Sequence, residues 1–177
     1  MPPILHTDRL ILRPHDVDDF AAVAALWAEP EVIRHILPAP ATPEESWSRL
    51  LRYMGHWQAV GYGYWVIADR DNGVFLGEAG LANYRRSMNP PLSGPEAGWV
   101  LTAGAHGRGL ATEAVGAILT WADRSLTAPE TCCIFDPAHD RSLRVAQKLG
   151  YDRPAMSSYK GNPTLVLRRG RALLSCP

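Results

Sequence analysis

The chain has 177 residues, 46% hydrophobic and 20% charged, the proportions of an ordinary globule. Lysine plus arginine equals aspartate plus glutamate at 18 each, so no basic excess points to nucleic acid. No apolar run approaches the roughly 20 residues of a membrane span, and Met1-Pro2-Pro3-Ile4-Leu5-His6 lacks the regions of a secretory signal. These exclusions leave one expected domain over residues 1–177, cytoplasmic, with a core of its own.

His6 to Arg13 alternates around Leu10 and Leu12 as a strand. Asp16 caps a helix through about Trp27, with Asp19 at its third position. Residues Glu29 to Ala41 hold Pro30, Pro38 and Pro40 and read as a loop, where His35 is a candidate to face substrate. Thr42-Pro43-Glu44-Glu45 starts a second helix, with a capping Thr, Pro at the first position and Glu at the third. That helix places Trp47, Leu50, Leu51, Met54 and Trp57 on one face. Tyr62 to Ala68 is a strand, Asp71-Asn72-Gly73 a hairpin turn, and Val74 to Tyr84 the returning strand, with Gly77 and Gly80 as bulge candidates. Tyr62 and Tyr64 are placed to line an acceptor groove.

After Pro90, Pro91 and Pro95 comes a strand from Glu96 to Leu101, and then the most informative segment. Gly107 and Gly109 flank Arg108 in a turn that opens a helix near Gly109 or Leu110, with Leu110, Ala114, Ile118 and Ala122 on one stripe. Glycine lets the backbone bend sharply and approach a ligand closely. The first amides of the helix lack partners and its dipole is positive there, which suits a pyrophosphate. Arg108 adds a charge-assisted contact and His106 a further phosphate contact. No Lys follows the turn, which excludes the P-loop, and the full dinucleotide-binding glycine pattern is absent. The diphosphate therefore belongs to another carrier.

Thr131 to Phe135 is a short strand, Asp140 to Leu149 a helix ended by Gly150, and Tyr151 to Tyr159 with Thr164 to Arg168 a final hairpin. The order is β-α-α-β-β-β-α-β-α-β-β. The cysteines Cys132, Cys133 and Cys176 are odd in number without spaced pairs, which argues against a disulfide or zinc framework, and Cys132 and Cys133 read as packing residues. The six histidines show no metal-ligand spacing, and no metal is expected.

Five segments, in their order and spacing, resemble the GNAT superfamily of acyl-CoA-dependent N-acetyltransferases. They are Thr7-Asp8-Arg9-Leu10-Ile11-Leu12-Arg13-Pro14, Gly77-Glu78-Ala79-Gly80-Leu81, Glu96-Ala97-Gly98-Trp99-Val100-Leu101, Gly107-Arg108-Gly109-Leu110-Ala111-Thr112-Glu113-Ala114 and Ser142-Leu143-Arg144-Val145-Ala146-Gln147-Lys148-Leu149-Gly150-Tyr151. The likeness is closest to the Rim-type ribosomal-protein N-terminal acetyltransferase branch. It implies the α/β GNAT fold, a mixed, mostly antiparallel twisted sheet of about seven strands with about four helices. It also implies acetyl-CoA as co-substrate. The strand before the turn (Trp99, Val100, Leu101) would lie along the pantetheine arm, and His106, Gly107, Arg108, Gly109, Leu110, Ala111 and Thr112 would hold the pyrophosphate. Two positions depart from the pattern: Gly104 stands where Gln or Arg is frequent, and His139 where Asn commonly contacts CoA.

Acetyl transfer to an amine needs a neutral amine, a polarised carbonyl and a proton for the departing thiolate. A lysine amine is only about 0.04% neutral at pH 7, a cost of roughly 4.6 kcal/mol, whereas an α-amine is roughly 10–15% neutral and costs about 1 kcal/mol. A lightly equipped site therefore favours α-amines or other amines of low pKa. Glu96 is the candidate general base, directly or through water. Ser142 resembles the Rim-type serine proposed to protonate the thiolate, and Tyr159 is the alternative donor in a last hairpin that reads Ser157-Ser158-Tyr159-Lys160. Backbone N–H groups near Val100 would meet the oxyanion. The expected activity is direct N-acetyl transfer in a ternary complex to a small-molecule or peptide amine. The protein would act as a monomer or homodimer, with no nucleic-acid or membrane partner. The alternative is a non-catalytic CoA-binding sensor or scaffold of the same fold.

Overall fold

Near Thr7 the chain turns back on itself. The Thr7 hydroxyl accepts from the Leu10 amide at 2.9 Å, and the Thr7 amide donates to the Leu10 carbonyl at 3.0 Å. The segment expected as one strand from His6 to Arg13 is thus a hairpin, β1 (Leu5–His6) against β2 (Leu10–Arg13), in the computed structural model, which describes residues 2–172. Cys176 lies outside the described residues.

Asp16 forms the expected capping box with Asp19, over a 3₁₀ turn that leads into α1 (Phe20–Ala28). The segment from Glu29 to Ala41 is not wholly loop. Pro30 opens a short helix, α2 (Pro30–Ile33), since a proline at the first helical position gives up an amide that has no partner anyway. Thr42 and Glu45 cap α3 (Pro43–Val60), which Gly61 ends at φ 78°. The buried face of α3 differs from expectation. Ser46, Leu50 and Tyr53 are buried, whereas Trp47, Leu51 and Met54 are 39%, 45% and 36% exposed. On the buried side of this helix Tyr53 stacks on Tyr64 at 4.5 Å.

The rest of the chain gives β3 (Tyr64–Asp69), β4 (Phe75–Ala82), β5 (Glu96–Leu101), α4 (Leu110–Ser125), β6 (Glu130–Phe135), α5 (Asp140–Lys148), β7 (Ala155–Tyr159) and β8 (Asn162–Gly170). The bulge expected at Gly77 is present: Ile67 pairs with Gly77 but Ala68 with Phe75, which leaves Leu76 over. Gly80 keeps register, and a side chain there would strike the Gly63 carbonyl and the Tyr64 Cα.

The eight strands form one sheet in the order β1-β2-β3-β4-β5-β6-β8-β7, antiparallel except between β5 and β6. On one face, α4 buries Leu110, Ala114, Val115, Ile118 and Leu119 against Leu10, Leu12, Ile67 and Leu81. On the other, Val23, Leu26, Trp27 and Leu50 of α1 and α3 pack with Val100. Cys132 and Cys133 are both buried, and burial pushes the Cys132 thiol up to about 12, so it stays protonated and packs. No helix among the described residues is long and apolar enough to cross a membrane.

Candidate active site

Strand β5 is paired along its whole length on one side only. Thr102 N–H donates to the Leu76 carbonyl at 2.9 Å, and the register pairs Val100 with Glu78, Gly98 with Gly80 and Glu96 with Ala82. The alternation of an antiparallel ladder then turns the amides and carbonyls of Ala97, Trp99 and Leu101 away from β4, toward β6. Strand β6 meets that edge at one point, Glu96 opposite Cys132, where Cys132 N–H donates to the Pro95 carbonyl at 3.0 Å. Beyond it the strands part, and the Trp99 peptide groups face a cleft. An extended, amide-bearing ligand can add there as a missing strand. The rings of Trp99 and Phe135 stand 6.2 Å apart across the gap. On the open side, the amides flanking Val100 are those of Trp99 and Leu101; its own points to β4.

The cleft runs into the glycine turn. Gly107 and Gly109 have φ of 73° and 79°, left-handed values that suit glycine. A Cβ on Gly107 would meet nothing within 4 Å, so the space beside the turn is open. The first intrahelical bond of α4 runs from Glu113 N–H to the Gly109 carbonyl at 3.1 Å, and no side chain caps the Leu110, Ala111 and Thr112 amides that precede it. Glu113 reaches back to the first hairpin instead, accepting from Thr7 Oγ1 at 2.6 Å, Arg9 N at 2.9 Å and Arg9 Nε at 2.7 Å. Burial pushes its carboxyl up, but these bonds outweigh that and hold it below the ordinary carboxylate value. Arg9 Nη1 also donates to the Arg108 carbonyl at 3.0 Å, which fixes the turn from outside. The Arg108 side chain is exposed. His106 is tied down on both nitrogens. Its Nε2 donates to the Leu101 carbonyl at 2.9 Å, which leaves Nδ1 to accept from Arg141 at 3.2 Å.

At the other end of β5, Glu96 is buried and bound in bidentate fashion by Arg86, Nε to Oε2 at 2.6 Å and Nη2 to Oε1 at 2.7 Å. Burial works against the Arg86 charge, yet the Glu96 contact prevails and raises its pKa well above the ordinary value. The Arg86 guanidinium lies 4.7 Å from the Tyr84 ring centroid and 4.8 Å from that of Tyr159. A cavity of about 410 Å³ opens here, lined among others by Tyr84, Arg85, Arg86, Leu92 and Glu96.

A single open strand edge that ends in uncapped helix amides is a geometry for an acyl carrier with a diphosphate. Residues 9–152 match the acetyltransferase (GNAT) domain family. The chain belongs to the GNAT acetyltransferases. A putative GnaT-family acetyltransferase from Bordetella pertussis is 30% identical, with 96% of this chain and 100% of that one covered at a TM-score of 0.82. An acetyltransferase from Agrobacterium tumefaciens is 28% identical, with 95% and 94% covered at 0.80. YkkB of Bacillus subtilis is 27% identical over 152 residues, 82% of this chain and 83% of its own. At 16–17% identity the fold is shared, with TM-scores of 0.76, by the ribosomal L7/L12 acetyltransferase RimL and by AAC(6')-Ib.

Within this GNAT chain the remaining expected residues divide between the cleft walls. Ser142 is buried in the first turn of α5, with Oγ 3.5 Å from His139 Nε2. His139 stacks on His35 at 4.8 Å, so the segment after α2 meets α5. Burial first, and the neighbouring His35 next, lower the His139 pKa to about 4. Tyr159 joins Glu96 through Arg86 rather than directly. Tyr64 is buried on Gly98 and Tyr62 packs, partly buried, against the main core, so the tyrosine lining the cavity is Tyr84. Sequence reasoning passed over Arg86 and Arg9, because nothing local marks their distant partners. It also passed over Glu78, whose fully buried carboxylate accepts from Trp27 Nε1 at 2.7 Å and pairs with His15 Nε2 at 3.2 Å. Its place in Gly77-Glu78-Ala79-Gly80, a charge inside a buried strand, was the available signal. Among the described residues no group of three His, Cys, Asp or Glu side chains could hold a metal ion.

Proposed function

We propose that this acetyltransferase moves the acetyl group of acetyl-CoA to a primary amine, on a small molecule or a peptide N-terminus, by direct attack in a ternary complex. The observation that carries this reading is the unpaired edge of β5 running into the uncapped amides of α4. The diphosphate rests on the amides from Gly107 to Thr112, with Arg108 and His106 beside it, and the pantetheine arm follows Trp99, Val100 and Leu101. At about 3.3 Å per residue, the four steps from Leu101 to Ala97 carry the arm roughly 13 Å toward Glu96. RimL in complex with coenzyme A and AAC(6')-Ib in complex with acetyl-CoA support the choice of donor. Their names, an alpha-N-protein acetyltransferase and an aminoglycoside acetyltransferase, support an amine as acceptor.

In the reaction the amine nitrogen bonds to the thioester carbon, and the oxyanion is met by the Trp99 or Leu101 amide. The C–S bond then breaks. The proton lost by the amine passes to Glu96, directly or through water. Arg86 occupies two of the roughly four lone-pair positions of that carboxylate, so a further donor can still be accepted. The thiolate takes its proton from Ser142, near the α5 N-terminus where the helix dipole favours an anion. Tyr159 is the second hydroxyl available, and His139 adjoins the CoA arm from α5.

Calorimetric titration of CoA into the wild type and Gly107→Val tests the carrier half. A side chain there forces a left-handed β-branched residue and fills the open space, so Kd should rise at least about tenfold. Unchanged affinity overturns the reading. A thiol-release assay over a panel of amines tests the transfer half. CoA binding without release for any amine would leave only a sensor or scaffold.

A further inference from the structure

We infer that the acceptor amine carries a carboxylate of its own, held by Arg52 and Arg85; this deepens the transferase reading above and rests on it. The Tyr84 ring, which lines the cavity beside Glu96, has Arg86 on it at 4.7 Å and Arg52 at 5.5 Å. Arg86 is committed to Glu96 through two hydrogen bonds. Arg52 is not committed: it lies over Tyr84 and, at 5.8 Å, over Tyr53, and it makes no ion pair or hydrogen bond with any described residue. Arg85 lines the same cavity, is exposed and has no ion pair among the described residues.

Arg85 also sits at φ 47°, a left-handed conformation that costs a residue with a Cβ. Glycine would relieve that strain, yet the position bears a guanidinium. Among the described residues the only carboxylate lining the cavity is Glu96, and Arg86 binds both its oxygens. Arg52 itself lines the groove on the α3 side together with Glu44 and Glu45 and meets this cavity at the Tyr84 ring; Glu45 caps its own helix, and neither carboxylate pairs with Arg52. Inside the cavity a polycation would therefore meet the unpaired Arg85 and a Glu96 already bound by Arg86. A carboxylate would meet planar forks that match it in geometry and charge.

The same arrangement helps the chemistry. Once the carboxylate of the acceptor has docked, the remaining positive field of Arg52, Arg85 and Arg86 disfavours a second cation, so the adjacent ammonium loses its proton more readily. This suits a site whose base, Glu96, already has two of its lone-pair positions taken by Arg86.

The test measures kcat/KM at saturating acetyl-CoA for the L-α-amino acids, their amides, spermidine and kanamycin. Charge-assisted bonds predict that the best carboxylate-bearing amine exceeds its own amide by roughly tenfold to a hundredfold. Arg52→Ala and Arg85→Ala should each lower that ratio several-fold. Arg85→Gly should lower it equally while its Tm holds or rises, which separates lost recognition from lost folding. A ratio near one, a preference for spermidine or kanamycin, or a ratio unmoved by the arginine variants overturns the inference and leaves a transferase. Absence of thiol release with every amine overturns it together with the transferase reading.

Discussion

In the proposed reading the groups offered at the carrier end of the β5 cleft are main-chain amides, Leu110 to Thr112 beyond two left-handed glycines, and those offered at the acceptor end are side chains. Arg86 follows β4, Arg52 comes from α3, Tyr159 from β7, and Glu96 opens β5. The first end is a backbone conformation, and substitutions away from the glycines spare it. The second is a set of side chains assembled in a partly dry site, where the Arg86 and Glu96 charges depend on each other. The acceptor end should therefore be much the more fragile, and Arg86→Ala should show it first. That change leaves Glu96 buried and unpaired, and stability should fall by about 3 kcal/mol in urea denaturation. The double variant Arg86→Met with Glu96→Leu should recover most of the loss. A single variant as stable as the wild type would mean the ion pair does not organise this end.

The next effect is kinetic. Ser142→Ala should lower kcat about a hundredfold if its hydroxyl protonates the thiolate, with the KM for acetyl-CoA little changed. Tyr159→Phe should cost less, because its ring is packed beneath Arg86. The reverse ranking in steady-state assays would move the donor from the α5 wall to the β7 hairpin.

A smaller effect is expected at the carrier end, where side chains only brace the turn. Glu113→Gln should lose about 1 kcal/mol, since its partner Arg9 is half exposed and screened. The sign with pH follows from the depressed carboxyl. The contribution is present above the unfolded value and disappears as pH falls through the lower folded one, so the two Tm curves should converge in acid. CoA affinity should change less than in Gly107→Val. An equal loss of affinity would show that the brace, not the glycine, makes the site.

The same division explains what was legible beforehand. Gly107, Gly109 and the Leu110, Ala114, Ile118, Ala122 stripe are local signals, and the capping boxes at Asp16 and Thr42 need only residues three apart. The first hairpin was hidden because a threonine hydroxyl closes it and no glycine or proline marks it. Helix α2 was hidden because Pro30 starts it, although proline usually punctuates a loop. The α3 face was misread because Trp47, Leu51 and Met54 are apolar yet exposed, while Tyr53 is buried on the other side against Tyr64. Glu96 was visible as a residue, but its state was not, since only the fold brings Arg86 onto it.

Between the two ends, His139 stacks on His35, and its titration should give an effect no larger than that of Glu113→Gln. Burial lowers its pKa to about 4, with His35, Arg141 and His106 acting in the same direction and Asp136 against. An unfolded histidine titrates near 6.5. As pH drops below that value the unfolded chain takes up a proton that the native state refuses until about 4, so native stability falls across this window and levels off beneath it. His139 is only partly buried, which reduces the loss from the full shift to about 1 kcal/mol by pH 5. His139→Asn cannot titrate, so its Tm should decline less than that of the wild type between pH 7 and 5. The stack of His139 on His35 ties the segment after α2 to α5, so the wild type should also bind CoA less tightly at the acid end of that range, and the asparagine variant should not. Parallel curves for the two proteins would mean that the imidazole is as hydrated in the native state as in the unfolded chain, and that the walls of the cleft are not held together there.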